Sequence, residues 1–229
     1  VDKSGSMRGK EEATISGINE QIESTRKAKE DFENQEQIVC LVKFGQTIEH
    51  DEFWNKEISS INDLNNDNYQ PDDPSTKLLD AVGISVNKLR NEIKSELEER
   101  KANVILSIFT DGLENDSKEY NHSQIKDLIG EIKETGQWTV TFLGCSDNVF
   151  EVAESMGISR GDTLSYANTS KGTQSAFSSM AKGRYARSAM YSANLEEGIG
   201  MAKVNLNANF FENMDVSDPR PNKEIEKED

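Results

Sequence analysis

The sequence predicts an α/β domain with a doubly wound, mostly parallel sheet and one antiparallel edge strand. Three observations lead there. Apolar runs at 37–44, 104–109 and 138–143 alternate with amphipathic stretches of helical period, the alternation that builds βαβ units. Within the runs the apolar residues are nearly continuous, as in strands covered on both faces. The chain of 229 residues suffices for one such domain with a remainder outside it.

The elements follow in order. Residues 10–32 carry Ile15, Ile18, Ile22 and Phe32 at helical spacing, and Gly17 among them marks a close approach to the sheet. Residues 37–44 read as a buried strand. Gly45-Gln46 then turns the chain into a more polar strand over 47–54, which makes a hairpin and places the antiparallel strand at the sheet edge. The Asn, Asp and Pro of 55–75 spell a loop. A second helix starts near Thr76, with the stripe Leu78, Leu79, Val82, Val86, Leu89, Ile93 and Leu97. Residues 104–109 form the next buried strand, ending in Thr110-Asp111-Gly112. A helix over 122–135 closes at Gly136, a strand over 138–143 ends at Gly144, and a short helix covers 147–156. A last short strand (163–166) and a helix over 173–189 complete a domain of residues 1–190. Residues 191–229 lose regular pattern and read as an irregular, acidic tail, solvated at its end.

Composition bounds the function. A net charge of −16 opposes binding to nucleic acid or to an anionic membrane surface, and no apolar run reaches the length of a membrane span. A mean hydropathy of −0.73 is low for a compact domain, which agrees with a polar tail. Cys40 and Cys145 sit in apolar runs and read as reduced core thiols, favouring a cytoplasmic setting.

The chemistry gathers at the beginning of the chain. Asp2, Ser4 and Ser6 alternate, so in an extended segment their oxygens converge, with Gly5 allowing the bend between the serines. Hard oxygen donors around one point suit Mg²⁺, with Mn²⁺ as a substitute, rather than Zn²⁺ or copper. A loop of this kind follows a buried strand in an open α/β sheet, and only Val1 belongs to one here. The first central strand is therefore expected to be missing, leaving a vacancy between 37–44 and 104–109 flanked by Val39, Leu41, Ile105 and Ile108.

Three pieces together resemble a von Willebrand factor A domain: Asp2-Lys3-Ser4-Gly5-Ser6-Met7, Thr76-Lys77-Leu78-Leu79-Asp80-Ala81, and Phe109-Thr110-Asp111-Gly112-Leu113-Glu114-Asn115. Phe142-Leu143-Gly144 adds a likeness to bacterial stand-alone A-domain proteins. The resemblance covers about 1–190 and implies a Rossmann-like fold with a metal-ion-dependent adhesion site. It implies that Ser4 and Ser6 bind Mg²⁺ directly, Thr76 directly or through water, and Asp2 and Asp111 through coordinated waters. One position is then left for an Asp or Glu carboxylate of a protein partner. The N-termini of the first two helices would favour such an anion. One departure concerns Pro71-Asp72-Asp73-Pro74-Ser75, where the family carries glycine before the threonine. Pro74 and Ser75 stiffen the turn, and Asp72 and Asp73 add negative charge beside the site.

Other candidates are weaker. Glu114 and Asn115 read as residues that support the ligands or rim the site, or as a solvated loop. His50 and His122 suit surface positions, and no Gly-x-Ser-x-Gly elbow accompanies them. Gly198-Ile199-Gly200 lacks the strand and third glycine of a dinucleotide site. Lys182, Arg184 and Arg187 read as a solvated basic face of the last helix, and Phe53 and Trp54 as packing at the sheet edge. The expected function is that of a Mg²⁺-dependent binding module, not an enzyme. A Mg²⁺-assisted hydrolase or phosphotransferase on the same sheet is the rival, opposed by Ser4 where a second acid would stand. A structural subunit with a vestigial metal site is the third reading.

Overall fold

A computed structural model of the chain describes residues 1–50, 53–111, 114–196 and 210–211. Helix α1 (Glu11–Asp31) is followed by two antiparallel pairs of very short strands. Of these, β1 (Ile38–Val39) pairs with β4 (Lys56–Glu57), and β2 (Lys43–Phe44) pairs with β3 (Ile48–Glu49). Then come α2 (Leu78–Glu92), α3 (Lys94–Glu98), β5 (Val104–Thr110), α4 (His122–Glu134), β6 (Trp138–Gly144), α5 (Val149–Ser155), β7 (Thr163–Ser165) and α6 (Ser170–Glu196). Strands β5, β6 and β7 form a parallel sheet in that order.

The sheet is covered on both faces, and strand alternation explains how. On β5, Ile108 joins the core under α2 and α4, while its neighbour Phe109 joins the core under α1 and α6. On β6, Val140 and Phe142 point to the first core and Leu143 to the second. Every residue of β6 is buried, as its continuous apolar run predicts for a central strand. Among the described residues, α1 and α6 make the most extensive helix–helix contact. A Cβ on Gly17 would stand 2.2 Å from Phe177 Cδ2, so the glycine is set against α6 and not, as the sequence suggests, against the sheet. Phe177 in turn lies on Phe109, with ring centroids 4.3 Å apart. Helix α4 opens on a capping box between Asn121 and Gln124 and closes at Gly136, whose φ of +70° is the left-handed cap that glycine tolerates.

Several sequence expectations change. The strand expected over 37–44 breaks into β1 and β2, and Ile38 is 45% exposed. Among the described residues, the edge of this segment that faces β5 is bonded at its end by Val1–Lys3. Phe44 N donates to the Val1 carbonyl (2.9 Å), Lys3 N to the Phe44 carbonyl (2.7 Å), and Asp2 N to the Phe109 carbonyl (2.9 Å). Val1–Lys3 thus bridges the two halves of the structure. Its amino group donates to the Val42 carbonyl at 2.7 Å, and burial pushes that group's pKa down to about 5.

The loop over 55–75 is less solvated than its composition suggests, because Ile58, Ile61, Leu64 and Tyr69 are buried beneath it. Helix α2 starts at Leu78, two residues after Thr76. Helix α6 extends to Glu196, and beyond it Phe210 and Phe211 are buried, with Phe211 N donating to the Gly161 carbonyl (3.1 Å). Gly198-Ile199-Gly200 and residues 212–229 lie outside the described residues. The basic face of α6 is only partly solvated: Lys182 is exposed, but the two arginines turn inward. Arg187 is buried, and Arg184 donates to Thr25 Oγ1 (2.8 Å) and Gln21 Oε1 (3.3 Å) of α1, with burial holding its pKa down at about 10. Both cysteines are free thiols, half-buried rather than fully buried, and burial pushes their pKa values up. His50 is half-buried too, against Ser85 and the Trp54 ring. Among the described residues no helix is long and apolar enough to cross a membrane.

Candidate metal centre

The acid–hydroxyl loop lies at the carboxyl end of β5, where ligands bind in open α/β sheets. Asp2 is fully buried and held from two sides. Its Oδ1 accepts from Ser4 N (2.7 Å) and its Oδ2 from Thr110 Oγ1 (2.5 Å). Burial pushes this carboxyl above the usual range and the nearby Asp111 pushes it further, while the Thr110 and Ser4 hydrogen bonds act against both. Ser4 Oγ and Ser6 Oγ are 2.9 Å apart, and Ser6 Oγ donates to Asp111 Oδ1 at 2.6 Å. Three predicted ligands therefore form one unbroken chain of oxygens, and Asp2 adjoins it through Ser4. Ser4, Ser6 and Thr76 also line a common cleft of about 440 Å³, with Arg8 and Asp72 at its margin.

Thr76 is fixed by the loop that follows β5. Its N–H donates to Asn115 Oδ1 (2.9 Å), and its carbonyl accepts from the N–H groups of Asn115 (3.2 Å) and Asp116 (3.3 Å). Glu114 Oε2 accepts from Leu79 N (3.0 Å) at the start of α2 and from Ser117 Oγ (2.7 Å), and its Oε1 accepts from Ser117 N (2.7 Å). Glu114 and Asn115 thus support the threonine segment from behind, as one sequence reading expects, and Asn115 also lines the cleft. The negative end that α2's N-terminus favours is already supplied from within by Glu114. Deeper in, Asp80 accepts from the N–H groups of Lys118, Glu119 and Tyr120, each at 2.9 Å.

The acidic loop before Thr76 is partly neutralised. Asp73 Oδ2 accepts from Thr47 N (3.2 Å) and pairs with Lys3 Nζ (3.3 Å), while its carbonyl accepts from Gly5 N (2.8 Å). The segment expected to add negative charge beside the site also braces the loop that carries both serines.

No family model matches the chain, and no curated protein does. The donors must speak for themselves. Among the described residues no three His, Cys, Asp or Glu side chains gather as a metal cluster. The set here is two carboxylates and three hydroxyls, all hard oxygen, which fits Mg²⁺ or Mn²⁺ and no softer metal.

Lys10 was not foreseen. Its ammonium bonds Asp111 Oδ2 and approaches the Ser6 carbonyl (3.4 Å), so one positive charge already faces the Asp111 carboxylate. Its signal in the sequence is a lysine directly before a helix, where the macrodipole disfavours a cation. Lys10→Met removes that charge from beside the donors and is expected to tighten Mn²⁺ binding by about tenfold or more, read by calorimetric titration. Equal or weaker binding in the variant would show that Lys10 supports the donors instead of competing for them.

Proposed function

We propose that this chain is a Mg²⁺-dependent protein-binding module of the von Willebrand factor A type, on a Rossmann-like sheet. Asp2, Ser4, Ser6, Thr76 and Asp111 would hold the ion. The observation that carries the reading is the oxygen chain Ser4–Ser6–Asp111, with Thr76 in the same cleft. Bound there, Mg²⁺ or Mn²⁺ supplies an electrophilic site for an Asp or Glu carboxylate of a protein partner. The chain's own residues do the positioning. Thr110 and Ser4 N hold Asp2, Asn115 and Asp116 hold Thr76, and Asp73 braces Gly5. Two carboxyl groups, Asp2 and Asp111, stand against the one ammonium of Lys10, and an added cation would be drawn to that excess of acid.

A second reading has its own observation. With Lys10 on Asp111, the site is a metal-free one whose cation is built in. The two separate in one experiment. Under the first, divalent metal and a partner bearing an exposed carboxylate each tighten the other's binding by the same factor. Partner capture that EDTA leaves unchanged supports the second.

A further inference from the structure

A second buried acid lies outside the metal-type loop. Asp162 ends the turn over 159–162 that leads into β7. Its Oδ2 is held from within the domain, by Ser159 Oγ (2.8 Å) and by Lys133 Nζ of α4 (3.1 Å). Its Oδ1 accepts from Phe210 N at 2.9 Å, and among the described residues that is the only hydrogen bond to this oxygen. Next to it, the Gly161 carbonyl accepts from Phe211 N (3.1 Å). Two neighbouring acceptors on one turn thus take two successive backbone N–H groups. A buried carboxylate oxygen is costly to leave without a donor, so the turn is built to hold a peptide there.

The side chains are seated as well. Phe210 and Phe211 are both buried, meet edge to face with centroids 5.0 Å apart, and join the core under α1 and α6. The guanidinium of Arg187, on α6, stands 5.9 Å from the Phe210 centroid. Main-chain acceptors that hold any peptide and apolar seats that select its side chains are the two parts of a peptide-docking site. We propose that the 159–162 turn and the adjoining face of α6 form a docking site for a Phe-Phe peptide, which the chain fills in cis with Phe210–Phe211 as an exchangeable ligand. Two rings and two hydrogen bonds give a free peptide a Kd of about 100 µM. Covalent attachment to α6 raises the local concentration to the order of millimolar. The site is therefore closed in the intact chain and opens to a competing Phe-Phe segment once that attachment is cut. This inference rests on neither the metal nor the A-domain reading.

The test places a protease recognition sequence within residues 201–206 of the full chain and follows a labelled peptide of residues 207–214 by fluorescence anisotropy. After cleavage and dilution to about 1 µM, the C-terminal fragment is expected to leave while the domain keeps its circular dichroism spectrum. The labelled peptide then binds about tenfold more tightly than it does to the uncut chain, where it competes with the attached segment. A peptide with Phe210→Ser and Phe211→Ser binds neither form. A peptide methylated on the Phe210 nitrogen binds about tenfold more weakly, because Asp162 Oδ1 loses its donor without any change to the protein. No peptide uptake by the cut chain, equal uptake before and after cleavage, or undiminished binding of the methylated peptide would each overturn the proposal. So would a fragment that stays with the domain through dilution, or a domain that loses its spectrum with the fragment, since residues 210–211 would then be fixed parts of the core.

Discussion

Asp80→Ala is expected to lower the melting temperature by about 10 °C, although Asp80 lies outside the proposed ligand set. Its carboxylate accepts the N–H groups of Lys118, Glu119 and Tyr120 from a buried position in the first turn of α2. Removing it strands three part-buried donors, and a donor left unmade costs on the order of 1–3 kcal/mol where water cannot reach it. Partial rehydration of the loop lowers the sum, which places the expected loss at roughly 3–5 kcal/mol. Asp80→Asn keeps one acceptor oxygen and falls between. Thermal unfolding followed by circular dichroism decides it, and a loss under about 2 °C would show that the loop over 114–120 is held by other contacts. The same variant loosens Asn115 from Thr76, so any metal affinity falls with the stability.

The second large effect is on binding. Asp111→Ala is expected to reduce metal-dependent capture of a carboxylate-bearing partner by about 100-fold or more while leaving the melting temperature within a few degrees. Asp111 is the only carboxylate that meets Ser6 Oγ and Lys10 together among the described residues. It stands at the end of β5 rather than in either core, so its loss removes charge and orientation and little packing. Capture by the variant measured with and without EDTA checks this, and undiminished metal-dependent capture would move the site elsewhere. Ser4→Ala acts more weakly, because Ser6 and Asp111 stay in place.

What the sequence revealed and what it hid divide along physical lines. Strands β5 and β6 and helices α1, α2 and α4 were legible because burial on both faces, or on one helical stripe, writes itself as an apolar run or a period. The break between β1 and β2 was not legible. It depends on which neighbours the segment finds across space, and Val39, Cys40 and Leu41 look as strand-like as any residue of β6. At the site, the grouping of Asp2, Ser4 and Ser6 was legible from their spacing, although Ser6 reaches Ser4 through a 3-10 turn over Gly5–Met7 and not an extended segment, and the meeting with Asp111 was implied by the resemblance. Lys10 and Asp80 were hidden for opposite reasons. Lys10 reads as one more surface lysine until its side chain is seen folded back onto Asp111. Asp80 sits inside an apolar stripe, and only the three N–H groups facing it explain a carboxylate there. Arg184 and Arg187 misled because helical spacing alone does not say which face of α6 meets α1.

The most direct test of the central claim is a titration of Mn²⁺ into the chain, read by the electron paramagnetic resonance signal of the free ion. The account predicts that about one equivalent of Mn²⁺ is taken up per chain. It also predicts that Mg²⁺ returns the ion to solution by competition and that Asp111→Ala abolishes the uptake. A free-ion signal that stays proportional to added Mn²⁺ into the millimolar range, or uptake that survives in Asp111→Ala, would contradict it.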